Sequence, residues 1–98
     1  MTIKKIQNDS ALTLAVAGRL ESTTAPELES VIKSGLDGIT DLTFDFGGLE
    51  YISSAGLRVL LSAQKTMSMQ GKMKVTGVNE IVMEIFDITG FSDILTIE

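Results

Sequence analysis

Two adjacent serines, Ser53 and Ser54, stand between the apolar pair Tyr51-Ile52 and the run Leu57-Arg58-Val59-Leu60-Leu61. That order reads as a strand running into a helix start. The first amide N–H groups of a helix have no internal partner, and the backbone dipole is positive there, so the position favours anions. A serine hydroxyl held at such a point can accept a phosphoryl group or meet a partner; equally, it can simply cap the helix. A hydrophobic staple, in which the residue before the cap packs on the fourth helical residue, sets the register. With Ser53 as cap the pair is Ile52 with Leu57; with Ser54 as cap it is Ser53 with Arg58, which cannot staple. The first register expects Ser53 to satisfy a free N–H and leaves the hydroxyl of Ser54 idle. A phosphate on Ser54 adds about −1.5 to −2 charges. Arg58, four residues on, shares its helix face, while Glu50, and Glu21 if its loop lies alongside, oppose the added charge.

The rest of the composition removes most other chemistries. Without cysteine or histidine the 98 residues offer no disulfide, no thiolate or imidazole metal ligand and no serine-hydrolase triad. Asp41 and Asp45 are two carboxylates without companions, and no metal or cofactor is expected. A net charge of −5, with Lys and Arg scattered, argues against nucleic acid as a partner. The uncharged apolar run from Ala11 to Ala17 is too short for a signal peptide or a membrane span, so a cytoplasmic protein with no membrane insertion is expected. The chain reads as one globular domain over residues 1–98, monomeric when free.

The elements that must position the serines follow from periodicity. Ile3 to Ile6 is a short strand. Leu12, Leu14 and Val16 alternate with Thr13, Ala15 and Ala17, so a second strand pairs with the first as a hairpin and carries small residues on its other face, against which something packs closely. Thr24 with Glu27 predicts a capping box opening a helix whose stripe is Leu28, Val31, Ile32 and Leu36, closed by Gly35 or Gly38. Leu42, Phe44 and Phe46 mark a strand that Gly47-Gly48 breaks. The second helix carries Leu57, Leu60, Leu61 and Met67 and ends near Gly71. Met73 to Val75 is a further strand. Asn79 caps a third helix in which Ile81, Val82, Ile85 and Phe86 recur, ending near Gly90, and Ile94 to Ile97 adds an edge strand. The order is β-β-α-β-α-β-α, with a possible final β: an α/β fold whose strand–helix–strand units imply a mixed sheet with helices packed on it.

With these residues placed, the chain resembles a stand-alone STAS domain of the anti-sigma factor antagonist (anti-anti-sigma factor) type over nearly its whole length. The carrying segments are Ser53-Ser54-Ala55-Gly56-Leu57, similar to the family's Asp-Ser-Ser/Thr/Ala-Gly-Leu, and Gly18-Arg19-Leu20-Glu21-Ser22-Thr23-Thr24-Ala25, similar to its Gly-x-Leu-Asp/Glu segment. The resemblance implies a bacterial regulator of transcription that works by partner switching and is not an enzyme. Its unphosphorylated form binds an anti-sigma serine kinase and frees the sigma factor, phosphorylation at Ser54 breaks that complex, and a serine phosphatase restores it. Glu21, Ser22, Ser53, Ser54, Ala55, Gly56 and Arg58 are the partner-binding candidates. One departure stands at the site: the family's usual Asp before the phosphoserine is Ser53 here. A second reading stays open, a STAS subunit of a lipid-transport ABC complex that docks on its ATPase without phosphorylation.

Overall fold

The computed structural model describes all 98 residues. Strands β1 (Thr2–Asn8), β2 (Ala11–Leu20), β3 (Asp41–Ile52) and β4 (Lys72–Thr76) form one sheet in the order β1-β2-β3-β4. β1 runs antiparallel to β2, as the hairpin expects, and β2–β3 and β3–β4 are parallel pairs. Helix α1 (Ala25–Gly35) joins β2 to β3, α2 (Ser54–Gln70) joins β3 to β4, and α3 (Glu80–Thr89) follows β4, with a single 3₁₀ turn at Phe91–Asp93. Successive right-handed crossovers that advance the same way across a sheet place their helices on the same face. Alternation along the strands decides which face that is. Leu12, Leu14 and Val16 of β2, Leu42, Phe44 and Phe46 of β3, and Met73 and Val75 of β4 are buried. They pack with Leu28 and Ile32 of α1, Leu57, Leu60 and Met67 of α2, and Val82 and Phe86 of α3 in one apolar core.

Several expectations need correcting. The double glycine does not end β3, which runs on to Ile52. Between Ala15↔Asp45 and Ala17↔Gly48 the longer strand takes up one extra residue, and a second irregularity follows between Gly18 and Arg19. This is a bulge, held by a hydrogen bond of 2.9 Å from Gly47 N to Asp45 Oδ1. The bulge also answers the question of the small face of β2. A Cβ on Gly48 would lie 2.9 Å from the Ala17 Cβ, so the close packing there comes from the neighbouring strand. Thr24 does precede α1, but its φ and ψ are helical and its side chain caps nothing, so the capping box with Glu27 does not form. Ile81 does not join the core stripe of α3; it is 59% exposed. The C-terminal segment adds one bridge, Val75↔Ile97, rather than a full strand.

Candidate functional site

The two serines sit where parallel β2 and β3 end together. Leu20 pairs with Ile52, and Ser53 N donates to Leu20 O at 2.8 Å. α2 then leaves the sheet at once. Gly56 makes this possible: a Cβ there would come within 2.7 Å of Ile52 Cγ1 and 2.8 Å of Leu20 Cγ. Only a residue with no side chain lets the first turn lie directly on both strand ends.

The register set by the staple holds. Ser53 has extended dihedrals, α2 begins at Ser54, and Ile52 and Leu57 are both buried. Of the expected division of labour between the serines, the part given to Ser53 does not. Ser53 makes no side-chain cap bond, and its Oγ is buried without a partner. The first intrahelical bond runs from Leu57 N to Ser53 O at 2.9 Å, so the amides of Ser54, Ala55 and Gly56 have no backbone acceptor. Ser53 therefore serves as cap through its carbonyl alone, because its hydroxyl is turned into the protein and away from those amides. Ser54 is exposed, and no hydrogen bond within the chain engages its hydroxyl. An exposed, uncommitted oxygen thus stands beside three open N–H donors at the positive end of a 17-residue helix.

The loop from β2 to α1 lies next to this helix end because Leu20 and Ile52 are paired. Thr24, relieved of capping, locks it. Its Oγ1 accepts from Glu21 N at 2.9 Å and donates to Arg19 O at 2.8 Å, while Ala25 N donates to Glu21 O at 2.7 Å. Ser22, Ala55 and Arg58 are brought together around a shallow groove of about 170 Å³ between the starts of α1 and α2, with Pro26 and Glu29 on its far wall. Ser54 is outside that lining, and Gly56 is buried beneath it. Arg58 is exposed and forms no ion pair.

Two residues of this region escaped the sequence reading. The Arg19 guanidinium lies 4.6 Å from the centre of the Tyr51 ring, and its Nε is 3.4 Å from Glu21 Oε2. The guanidinium over the aromatic face makes a cation–π contact, and Glu21 meets it through an exposed ion pair. The signal was the strand register, which pairs Arg19 with Tyr51 and cannot be aligned before the bulges are known. Gathered at this end are an exposed hydroxyl, three open amide donors and the Arg19–Glu21 pair of the neighbouring loop. No group of three or more carboxylates is placed to hold a metal ion, and no helix is long and apolar enough to cross a membrane.

Comparison with known proteins places this geometry. The family model for the STAS domain matches residues 2–98. The chain belongs to the STAS family. Among its relatives is BtrV of Bordetella bronchiseptica, named as an anti-sigma factor antagonist, which is 36% identical over 99% of this chain and 84% of the relative. The anti-sigma-B factor antagonist of Staphylococcus epidermidis is 30% identical over 97% of this chain and 90% of its own length. An anti-sigma factor antagonist from Mycobacterium paratuberculosis superposes with a TM-score of 0.88 at 22% identity, covering 98% of this chain and 83% of that one. Unphosphorylated SpoIIAA superposes at 0.85 and 13% identity, covering 99% and 88%. At those identities the two structures speak for the STAS fold alone.

Proposed function

We propose that this STAS domain, a single unit over residues 1–98, is an anti-sigma factor antagonist that switches partners through Ser54. The unphosphorylated form binds an anti-sigma serine kinase over the start of α2 and the Glu21–Ser22 loop, and so releases the sigma factor. Transfer of a phosphoryl group to Ser54 Oγ ends that binding, and a serine phosphatase resets the switch. The reading is that of a monomeric bacterial, cytoplasmic regulator with no catalytic step of its own. The observation that carries it is the exposed Ser54 hydroxyl, with no partner in the chain, beside the unpaired amides of α2.

The physics of the switch is local. The folded domain tolerates about −1.5 to −2 added charges, because they arrive at the positive end of a helix with Arg58 one turn away. A partner seated on the same end meets the bulk and the charge directly. A coupling of roughly 1–3 kcal/mol weakens binding about 5- to 150-fold. Arg19, Glu21, Ser22, Ala55 and Arg58 form the rim the partner reads, while Gly56, being buried, sets the position of α2 rather than touching anything. Ser53, with its hydroxyl turned inward, gives the partner little beyond backbone.

The test is a binding titration of the cognate anti-sigma factor with the wild-type domain and with Ser54→Ala and Ser54→Asp. The alanine variant is expected to bind and to stay bound in the presence of ATP, and the aspartate variant to bind at least 5-fold more weakly. Unchanged binding by Ser54→Asp contradicts the switch. Co-purification with an ATPase subunit, with no phosphate incorporated, replaces it with the transport-complex reading.

A further inference from the structure

The sequence places isoleucines at positions 81, 85 and 88, a spacing of four and three that aligns them on one side of α3. The core does not use that side. Val82 and Phe86 are fully buried, whereas Ile81 is 59% and Ile88 77% exposed, with Ile85 half-buried between them. At 3.6 residues per turn the three isoleucines span a sector of about 60°. Glu84, then Glu80 and Asp87, all exposed, line its outer border. Residues 79–98 hold five acidic side chains and no Lys or Arg. The remaining eight of the chain's 13 acidic residues balance its eight basic ones, so the whole net charge of −5 resides in α3 and the segment after it.

A contiguous apolar stripe left in water is a recurrent mark of an interaction site, and the charge beside it decides among occupants. A second copy would set Glu80, Glu84 and Asp87 against the same carboxylates, with no cation on either α3 to offset them. An anionic lipid surface is repelled for the same reason. We infer that the outer face of α3 docks a basic amphipathic helix of a partner protein, its apolar residues on Ile81, Ile85 and Ile88 and its Lys or Arg side chains against Glu80, Glu84 and Asp87. This is the helix-on-apolar-face mode of recognition, with the charges giving rate and orientation. None of the residues it uses lies on α2, and the contact does not involve Ser54.

The experiment titrates the isotope-labelled full chain with a synthetic 18-residue helix carrying leucines along one stripe and lysines elsewhere. Two control peptides keep the length: one has glutamate for lysine, the other glutamine for leucine. Saturable amide shifts confined to residues 80–90 are expected with the leucine–lysine peptide only. Affinity should fall several-fold between low and moderate salt, and at least 10-fold in Ile81→Ser/Ile88→Ser, a variant that leaves the charge and the core unaltered. Ser54→Asp should titrate like wild type. The inference is overturned by shifts centred on another surface or by equal binding of the glutamine peptide. It is also overturned by unchanged affinity in the double variant, by self-association through α3 in sedimentation, or by α3-dependent binding to phosphatidylglycerol vesicles.

Discussion

Replacing Gly56 by alanine tests how the start of α2 is held. The new Cβ would stand 2.7 Å from Ile52 Cγ1, 2.8 Å from Leu20 Cγ and 3.0 Å from Leu20 Cδ2. Both neighbours are wholly interior, Ile52 at 1% and Leu20 at 0% exposure, so neither can swing outward. Overpacking of a well-filled interior costs about 1–3 kcal/mol, and the rigidity of these neighbours puts the cost in the upper half of that range. Alanine in place of glycine inside a helix returns about 1 kcal/mol. The net destabilisation is then about 1–2 kcal/mol, which at about 4–8 °C per kcal/mol for a domain of this size lowers Tm by about 5–15 °C. Gly35→Ala is the matched control. It lies at the end of α1, where the only near atom, Lys5 Nζ at 3.5 Å, belongs to a flexible side chain, so the same exchange should leave Tm level or raise it. Circular dichroism melts of the two variants decide the matter. A Gly56→Ala protein that melts at or above wild type would refute the claim that close approach to Leu20 and Ile52 fixes where Ser54 stands.

Three further outcomes follow from the same geometry. Ser53→Ala removes a buried hydroxyl that has no partner, so urea denaturation should find it level with wild type or slightly more stable, where a working serine cap loses about 0.5–2 kcal/mol. Ser53→Asp, whose carboxylate must turn out of the buried position of the Ser53 hydroxyl to face the open amides of Ala55 and Gly56, should stabilise the domain by about 0.5–1 kcal/mol, an effect that shrinks as salt is added. Asn79→Ala loses two bonds at once, Oδ1 accepting from Val82 N at 2.8 Å and Nδ2 donating to Leu49 O at 2.8 Å, and should cost about 2 kcal/mol in the same assay, with hydrogen exchange rising first in α3.

The fold was legible because nearly every element carries its own periodicity. Leu12-Leu14-Val16 and Leu42-Phe44-Phe46 name the buried face of the sheet, and Asn79 caps α3 as its position before Ile81 and Val82 suggests. What stayed hidden depends on pairing between distant segments. Gly47-Gly48 looks like a break because two glycines usually end a strand; only alignment with Ala15 and Ala17 turns them into a bulge. Thr24 has the sequence context of a capping box, yet the β2–α1 loop captures its hydroxyl first, through Glu21 N and Arg19 O. Ile81 fits the helical repeat as well as Val82 does, since periodicity gives the stripe but not its edge. At the site, the staple fixed the register of the serines correctly, because Ile52 and Leu57 are local. It could not tell which way the Ser53 hydroxyl turns, and the Arg19–Tyr51 stack lies beyond any local signal.

The regulatory reading is tested most directly by incubating the protein with its anti-sigma kinase and ATP, then weighing the intact chain and mapping the modified residue. One added phosphoryl group on wild-type protein, located at Ser54 and missing from Ser54→Ala, together with release of the kinase, is the expected result. A modification that persists in Ser54→Ala, or a fully modified domain that holds its partner as tightly as before, would contradict it.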